Sequence, residues 1–340
     1  MADPNPPALP LEPPPLFDRL RGALLEDLGP VGDVTSLALV PEGKKARADV
    51  LIKADGVLCG VKLLALVFQM TEQIVSSHAA GRAWDIHDAQ EAAKAGKANW
   101  NDVMAMSDRL AQQGMRVTTL KKDGERVKKG DIAATIEGDA RTLLAGERTA
   151  LNLLTHLSGV ATLTAQYVSH VAHTKAKILE TRKTTPLWRD LEKYAVKCGG
   201  GENNRRALYD MVLIKDNHLA LWGTQDPAGA VNAAHAKFPQ FNVEVEVIDL
   251  AGLKHVCAHS QPQFVLLDNF STPNLREAVL WCEKFFSAEK KDLSRPLLEA
   301  SGGVTLETVT AIAETGVDRI SVGALTHSAK ILDASLELKM

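Results

Sequence analysis

No apolar run in this chain reaches the ~18–20 residues that a membrane span needs, so the chain is expected to stay in water. Cationic residues are not in excess. Lys and Arg number 39 against 42 Asp and Glu, a formal net charge of −3, which excludes the electrostatic footprint of a nucleic-acid binder. Cysteine is scarce, and Cys59, Cys198, Cys257 and Cys282 stand far apart with no C-x-x-C. They read as reduced thiols of a cytoplasmic protein, not as a disulfide frame or a zinc site. The N-terminus lacks the charged start and apolar core of a signal peptide; the proline-rich residues 1–15 are expected to be a disordered lead-in.

What is present is a 340-residue chain, 45% apolar and 24% charged, long enough for two domains or one barrel with an appendage. Leu16, Phe17, Leu20, Leu24, Leu25 and Leu28 mark one face of an amphipathic helix that stops at Gly29-Pro30. Residues 48–52 and 56–61 read as short strands. Residues 70–113, rich in Ala, Gln and Lys, read as an excursion containing one or two helices, and strands resume at 117–120 and 132–136. The phrase Asp123–Asp131 resembles the turn of lipoyl and biotinyl carriers but lacks a hairpin lysine, so it is taken as a β-sandwich edge.

After Glu147 the pattern changes. A long helix over 148–172 precedes aliphatic runs at 176–181, 211–215, 243–248, 264–268, 296–301 and 319–323, with helical patterns between them. Buried strands alternating with helices mean a parallel α/β arrangement. Nearly every run ends in a polar residue or glycine, namely Arg182, Lys215, Glu246, Asp268, Ser301-Gly302-Gly303 and Gly323. Chemistry at every strand end favours a barrel rim over an open doubly wound sheet, whose site collects at one switch point. Six strands make the barrel atypical and incomplete.

The cations Arg182, Lys183, Arg205 and Lys215 gather positive charge on a slightly acidic chain and point to a small polyanionic substrate. Glu244 and Glu246 alternate with valines and face one side of a strand. Glu246, nearer the carboxyl end, is the better placed for substrate, with Asp268 one strand on. Two such carboxylates suit Mg²⁺ or sugar hydroxyls; the plainer alternative is a structural ion network that neutralises Arg182 and Lys215. The glycines after the last two strands, each leading into a helix start, suit an anion.

Taken in order, Glu26-Asp-Leu-Gly29, Gly32-Asp-Val-Thr35, Glu147-Arg-Thr-Ala-Leu-Asn152, Thr181-Arg-Lys-Thr-Thr-Pro186, Gly199-Gly-Gly201, Leu213-Ile-Lys-Asp-Asn-His218, Glu244-Val-Glu246, Leu267-Asp-Asn269, Ala300-Ser-Gly-Gly303 and Ser321–His327 resemble the quinolinate phosphoribosyltransferases. The resemblance implies an N-terminal α/β sandwich domain over 16–147, with 70–113 as an insertion. It implies an atypical six-stranded α/β barrel over 148–328 and a homodimer with shared sites. Residues 329–340 are expected to form a helix returning to the N-terminal domain.

It further implies that Arg148 comes from the partner subunit, and that Thr181, Arg182, Lys183, Asn204, Arg205 and Lys215 form the substrate surface. Glu246 and Asp268 would hold Mg²⁺ and the ribose of the co-substrate phosphoribosyl pyrophosphate. Ser301, Gly302, Gly303, Gly323 and His327 would hold the 5-phosphate. Lys183, Lys215, Glu246 and Asp268 stand as the catalytic candidates. The implied reaction yields nicotinate mononucleotide, pyrophosphate and CO₂ for NAD biosynthesis.

Two positions depart from the family pattern. Asn204 stands where a histidine is usual, and Leu187-Trp188 follows the Thr-Thr-Pro turn where a glycine is usual. If that glycine has positive φ, leucine there costs about 1–2 kcal/mol. Both changes border the quinolinate pocket, which leaves two rivals: the same transfer to another aromatic acid, and a lyase with Lys183 or Lys215 as Schiff-base amine.

Overall fold

The computed structural model describes residues 16–79 and 114–339. The proposed lead-in and most of the 70–113 excursion therefore lie outside the described residues. The chain divides into two compact units. The first holds residues up to Leu163, Thr185–Gly200 and Ala329 onward; the second holds Thr164–Thr184 and Gly201–Ser328. The division falls inside a long helix instead of at its start near 148.

In the first unit, α1 (Leu16–Leu28) buries Leu16, Leu20, Leu24 and Leu28 on the stripe expected from their spacing. A short α2 (Val34–Leu39) is capped by the Asp33 side chain. The sheet is antiparallel, in the order β12-β1-β5-β3, from β1 (Lys45–Ile52), β3 (Arg116–Thr119), β5 (Ile132–Asp139) and β12 (Ala334–Lys339). Ala48, Val50 and Ile52 of β1 are buried at period two. The helix α3 (Val61–Ala79) packs beside β3 and against α1, giving the α/β sandwich.

Four expectations are corrected here. The stretch 56–61 is a strand only over β2 (Gly56–Val57), because Val61 already begins α3, whose nearly all-round apolar surface has no strand alternation. The start of the excursion, 70–79, is the second half of that helix. The C-terminal segment is not a helix. It is β12, with Ser-Leu-Glu-Leu alternation, and pairs antiparallel with β1 from Arg47↔Lys339 to Ile52↔Ala334. The Asp123–Asp131 phrase carries β4 (Arg126–Val127), which pairs with β2 in a separate two-stranded ribbon and not in the edge of the four-stranded sheet.

The helix α4 (Ala140–Val171) begins eight residues before the expected start at 148. In the second unit six parallel strands follow: β6 (Lys177–Leu179), β7 (Val212–Ile214), β8 (Val243–Val247), β9 (Phe264–Asp268), β10 (Leu297–Ser301) and β11 (Arg319–Ser321). Their order is β6-β11-β10-β9-β8-β7. The last strand pairs with the first, while first and second do not pair, so the cylinder is closed on one side and split on the other. Among the described residues, the isolated bridge Leu179↔Glu202 lies at that split. This is the incomplete six-stranded barrel expected above.

Between the strands lie α6 (Asp216–Trp222), α7 (Pro227–Lys237), α8 (Leu250–His259), α9 (Thr272–Ala288) and α10 (Leu306–Ala313); α5 (Arg189–Cys198) belongs to the first unit. One face of the parallel strands is apolar and buried, through Ile178, Val245, Val247, Val265, Leu267, Leu298, Ala300 and Ile320. Among the described residues no helix is long and apolar enough to cross a membrane.

Because β12 covers one edge of β1, and Lys339 Nζ lies 2.9 Å from Asp49 Oδ2, removing residues 333–340 exposes a bare strand edge. It also strips a buried carboxylate of its cation. The expected outcome is a melting temperature lower by about 5 °C or more and a shift to aggregates in size-exclusion chromatography. An unchanged monodisperse profile with unchanged melting would contradict this role for β12.

Candidate active site

The inner face of the parallel sheet is polar, and strand register decides what stands beside what. Glu246 pairs with Leu266 and Glu244 with Phe264; Glu299 pairs with Leu266 and Ser301 with Asp268; Arg319 pairs with Glu299. Partners in a parallel sheet share a face. Glu244, Glu246, Asp268, Glu299, Ser301 and Arg319 therefore point to the side opposite the apolar helix-facing layer, and Asp268 sits one step nearer the carboxyl end than Glu246.

Among the described residues, the charges carried by these strands on this face have traceable partners, with one exception. Lys215 Nζ forms an ion pair with Glu246, whose side chain is only 10% exposed. Arg319 Nε donates to Glu299 Oε2 at 2.8 Å, and its guanidinium lies over the Phe264 ring, 4.3 Å from the centroid. Asn204 donates through Nδ2 to Glu299 Oε1 at 3.2 Å and through its backbone N–H to Glu180 Oε1 at 3.1 Å. Its Oδ1 accepts from the Arg205 backbone N–H at 2.7 Å. The exception is Glu244, buried with both carboxylate oxygens unpartnered. Burial first, and then the neighbouring Glu299, push its carboxyl up to about 8, against the pull of Arg319, Arg205 and Lys215. Burial likewise raises Glu299, against Arg319.

The cations form one electrostatic neighbourhood. Arg205 is depressed by its own burial and then by the charge of Arg182, while Glu244 and Asp210 oppose the shift. Arg182 Nε is buried without a partner. The next residue, Lys183, is exposed; its carbonyl accepts from Thr326 Oγ1 at 2.8 Å and its N–H donates to Thr181 Oγ1 at 3.1 Å. Gly323 lies where a Cβ would come within 3.2 Å of Lys183 Cδ and 3.1 Å of His327 Nε2, so glycine is what lets these two side chains approach the strand end.

The glycine pair is conformationally demanding. Gly302 has φ +100 and Gly303 φ +56. A Cβ on Gly302 would stand 2.1 Å from Asn269 Oδ1, whereas Gly303 faces open space. Asn269 itself is left-handed (φ 55) and donates to Asp268 Oδ2 at 2.8 Å. The expected phosphate grip is thus two exposed left-handed glycines ahead of a helix whose start is closed by a Thr305–Thr308 capping box.

Thr181, Arg182, Lys183, Asn204, Arg205, Lys215, Glu246, Asp268, Ser301, Gly302, Gly303, Gly323 and His327 all belong to the second unit. Arg148 is not among them. It is exposed on α4 within the first unit and lines a groove of about 390 Å³ with Asn152, His156, Thr185 and Trp188.

The chain matches the family Quinolinate phosphoribosyl transferase, C-terminal domain, over residues 160–337, and the corresponding N-terminal domain over 85–158. The nicotinate-nucleotide pyrophosphorylase [carboxylating] of Mycobacterium leprae is 38% identical, over 94% of this chain and 96% of its own. The chain belongs to the quinolinate phosphoribosyltransferase family. Solved structures agree: the nicotinate-nucleotide pyrophosphorylase of Francisella tularensis has 31% identity and TM-score 0.74, and NadC of Streptococcus pyogenes has 32% and 0.75, each with 95% of both chains covered.

Against the usual pattern of this quinolinate phosphoribosyltransferase family, both departures have structural answers. Leu187 keeps a left-handed backbone at φ 69, one of only two such non-glycine residues among those described. The leucine therefore sits in a conformation that costs an L-residue about 1–2 kcal/mol. Asn204 is fully engaged in hydrogen bonds.

Sequence reasoning missed Glu299, Arg319 and Arg19. The available signal was an acid inside the buried run Leu-Leu-Glu-Ala-Ser, where a carboxylate needs a partner. The plainer reading of Glu246 as a neutraliser is realised for Lys215 and not for Arg182.

A carboxyl raised from 4.5 to about 8 supports folding below its ordinary value, and that support is lost as pH rises from 4.5 through 8, where the unfolded chain has already ionised. Glu244→Gln carries no such loss. The gap in melting temperature in favour of the glutamine variant should widen between pH 5 and 8 and then level off. Parallel curves across that range would refute the assignment.

Proposed function

We propose that this protein transfers the phosphoribosyl group of phosphoribosyl pyrophosphate to quinolinate with loss of CO₂, giving nicotinate mononucleotide and pyrophosphate, a step of NAD biosynthesis. The observation that carries this reading is the strand-end cluster of Arg182, Arg205 and Lys215 beside Glu246 and Asp268, inside the region matched by the C-terminal family domain. Relatives named for this carboxylating pyrophosphorylase activity span bacteria, archaea and plants.

The charges suit the substrates. Quinolinate brings two carboxylates and its co-substrate brings more negative charge, so two polyanions must be held together against their repulsion. Arg182 and Arg205 already repel each other, and a carboxylate lying between them relieves that repulsion as it binds. Held in place, the pyridine nitrogen donates its lone pair to the anomeric carbon while the carbon–oxygen bond electrons leave with pyrophosphate. The nitrogen is then cationic. The bond to the adjacent carboxylate breaks, its electron pair stays on the ring carbon beside that positive nitrogen, and the carbon takes up a proton.

Glu246 and Asp268 stand at the ends of neighbouring strands on one face. Two hard carboxylate donors, with water and diphosphate oxygens completing the shell, are a donor set that Mg²⁺ accepts. Bound there, Mg²⁺ would screen the leaving diphosphate. Ser301, Gly302, Gly303, Gly323 and His327 would receive the 5-phosphate, and Arg148 would act in the site of a partner subunit. The enzyme would act in the cytoplasm as a homodimer on small anionic substrates. The lyase alternative finds no support, since Lys215 is committed to an ion pair with Glu246 and the family is one of transferases.

Incubation with Mg²⁺, phosphoribosyl pyrophosphate and quinolinate should release pyrophosphate and CO₂ in equal amounts. A chelator should abolish the release. Turnover with nicotinate and none with quinolinate would instead select the other-acid reading that Leu187 and Asn204 raise. For the shared site, Arg148→Ala and Lys215→Ala should each be inactive alone. Co-refolded, statistical mixing places one intact site in about half the dimers, and activity should return. Verified heterodimers without activity would remove the shared-site proposal.

A further inference from the structure

The turn that follows Arg182 and Lys183 is held by a side chain far away in sequence. Arg19 on α1 is 7% exposed. Its guanidinium grips Asp190 with two parallel bonds, Nη1 to Oδ1 at 2.6 Å and Nη2 to Oδ2 at 2.8 Å. Nη1 also donates to the carbonyl of Leu187, and the guanidinium carbon lies 5.5 Å from the centre of the Trp188 ring. One rigid fork thus touches Leu187, Trp188 and Asp190 together. Leu187 is left-handed at φ 69 and 63% exposed, so it has no packing of its own to hold it there. On the other side of the turn Glu192 accepts from the Thr185 N–H at 3.1 Å and from Thr185 Oγ1 at 2.7 Å. Thr185 and Trp188 line the same groove as Arg148.

A glycine at position 187 would adopt this geometry unaided. A leucine needs an external hold, and the Arg19 bond to its carbonyl is that hold. Lysine could not replace it, because a point charge cannot satisfy both carboxylate oxygens and the carbonyl at once.

We infer that Arg19 is a positioning residue for substrate recognition: by capturing the Leu187 carbonyl it keeps a leucine in left-handed geometry and fixes Trp188 as a flat aromatic wall beside Arg148, suited to a planar anionic ring. The part concerning the ring rests on the proposed reaction; the part concerning the turn does not.

The test is a cycle of Arg19→Lys, Leu187→Gly and the double variant. Lysine keeps a cation beside buried Asp190, so the fold survives. In the leucine background Arg19→Lys should lower the melting temperature by about 2–4 °C. In the glycine background the loss should shrink by at least half, because the turn no longer depends on the fork. In kinetics, Arg19→Lys should raise KM for quinolinate about tenfold, leave kcat and the KM for phosphoribosyl pyrophosphate within about twofold, and be rescued by Leu187→Gly. A general loss of structure would lower kcat and both KM responses together, without rescue. Additive melting shifts, or an unchanged quinolinate KM in Arg19→Lys, would overturn the inference. Absence of quinolinate turnover in the wild type would remove the proposed reaction alone; the melting cycle would still decide whether Arg19 holds Leu187.

Discussion

The ion pair between Glu299 and Arg319, buried on the inner face of the parallel sheet, is the contact on which the candidate site depends. Glu299 is fully buried, and its second oxygen accepts from Asn204. A buried pair is weak evidence for stability, because desolvation consumes much of the attraction. Its value here is positional. Glu299 ties β10 to β11 through Arg319 and, through Asn204, anchors the segment that carries Arg205. Removing it would leave Arg319 unpaired in the interior and free the one side chain that sets where the Arg205 backbone begins.

Above that pair the charge is graded. Deep in the sheet stand Glu244 and Glu299, both carboxyls raised by burial. At the strand ends stand Glu246, Asp268 and the cations. In its ionised form Glu244 would lower the cost of holding Arg182 and Arg205 close together, since its charge acts against the depression of Arg205. Yet a fully ionised floor would neutralise the rim that must receive anions. A protonated Glu244 avoids this: it occupies the interior without competing for the cations, and the rim keeps its positive potential for substrate.

Much of this was legible in the sequence because parallel strands have a simple grammar. Aliphatic runs ending in Arg182, Lys215, Glu246, Asp268 and Ser301 could only present those ends together once the strands lay parallel, and the six strands appear within a few residues of their expected places. The helix 61–79 was hidden because it is apolar nearly all round, so no period distinguished it from a strand. The C-terminal strand was hidden by shortness: its Ser-Leu-Glu-Leu alternation spans too few of its six residues to decide the period, and its partner, β1, lies nearly three hundred residues away. The partnership of Arg19 with Asp190 was illegible for the same reason. The positive φ at Leu187, by contrast, was foreseeable, because the family pattern usually has a glycine at that position, the residue that takes left-handed geometry freely.

The two departures from the family pattern are accommodated in different ways, and the difference is instructive about what each position must supply. At 187 the requirement is a backbone conformation, which leucine resists, so the accommodation comes from outside through Arg19. At 204 the requirement is a donor and an acceptor on one planar side chain. A neutral histidine has one of each, and asparagine has both on its amide: Nδ2 donates to Glu299 while Oδ1 accepts from the Arg205 N–H. Nothing in that pattern needs a titrating group. What the asparagine gives up is the capacity to become cationic, and in a neighbourhood where Arg182 and Arg205 already repel, a third positive charge would raise the cost of assembling the rim. Asparagine therefore preserves the position of Arg205 and keeps that position independent of pH across the range in which a histidine would change charge.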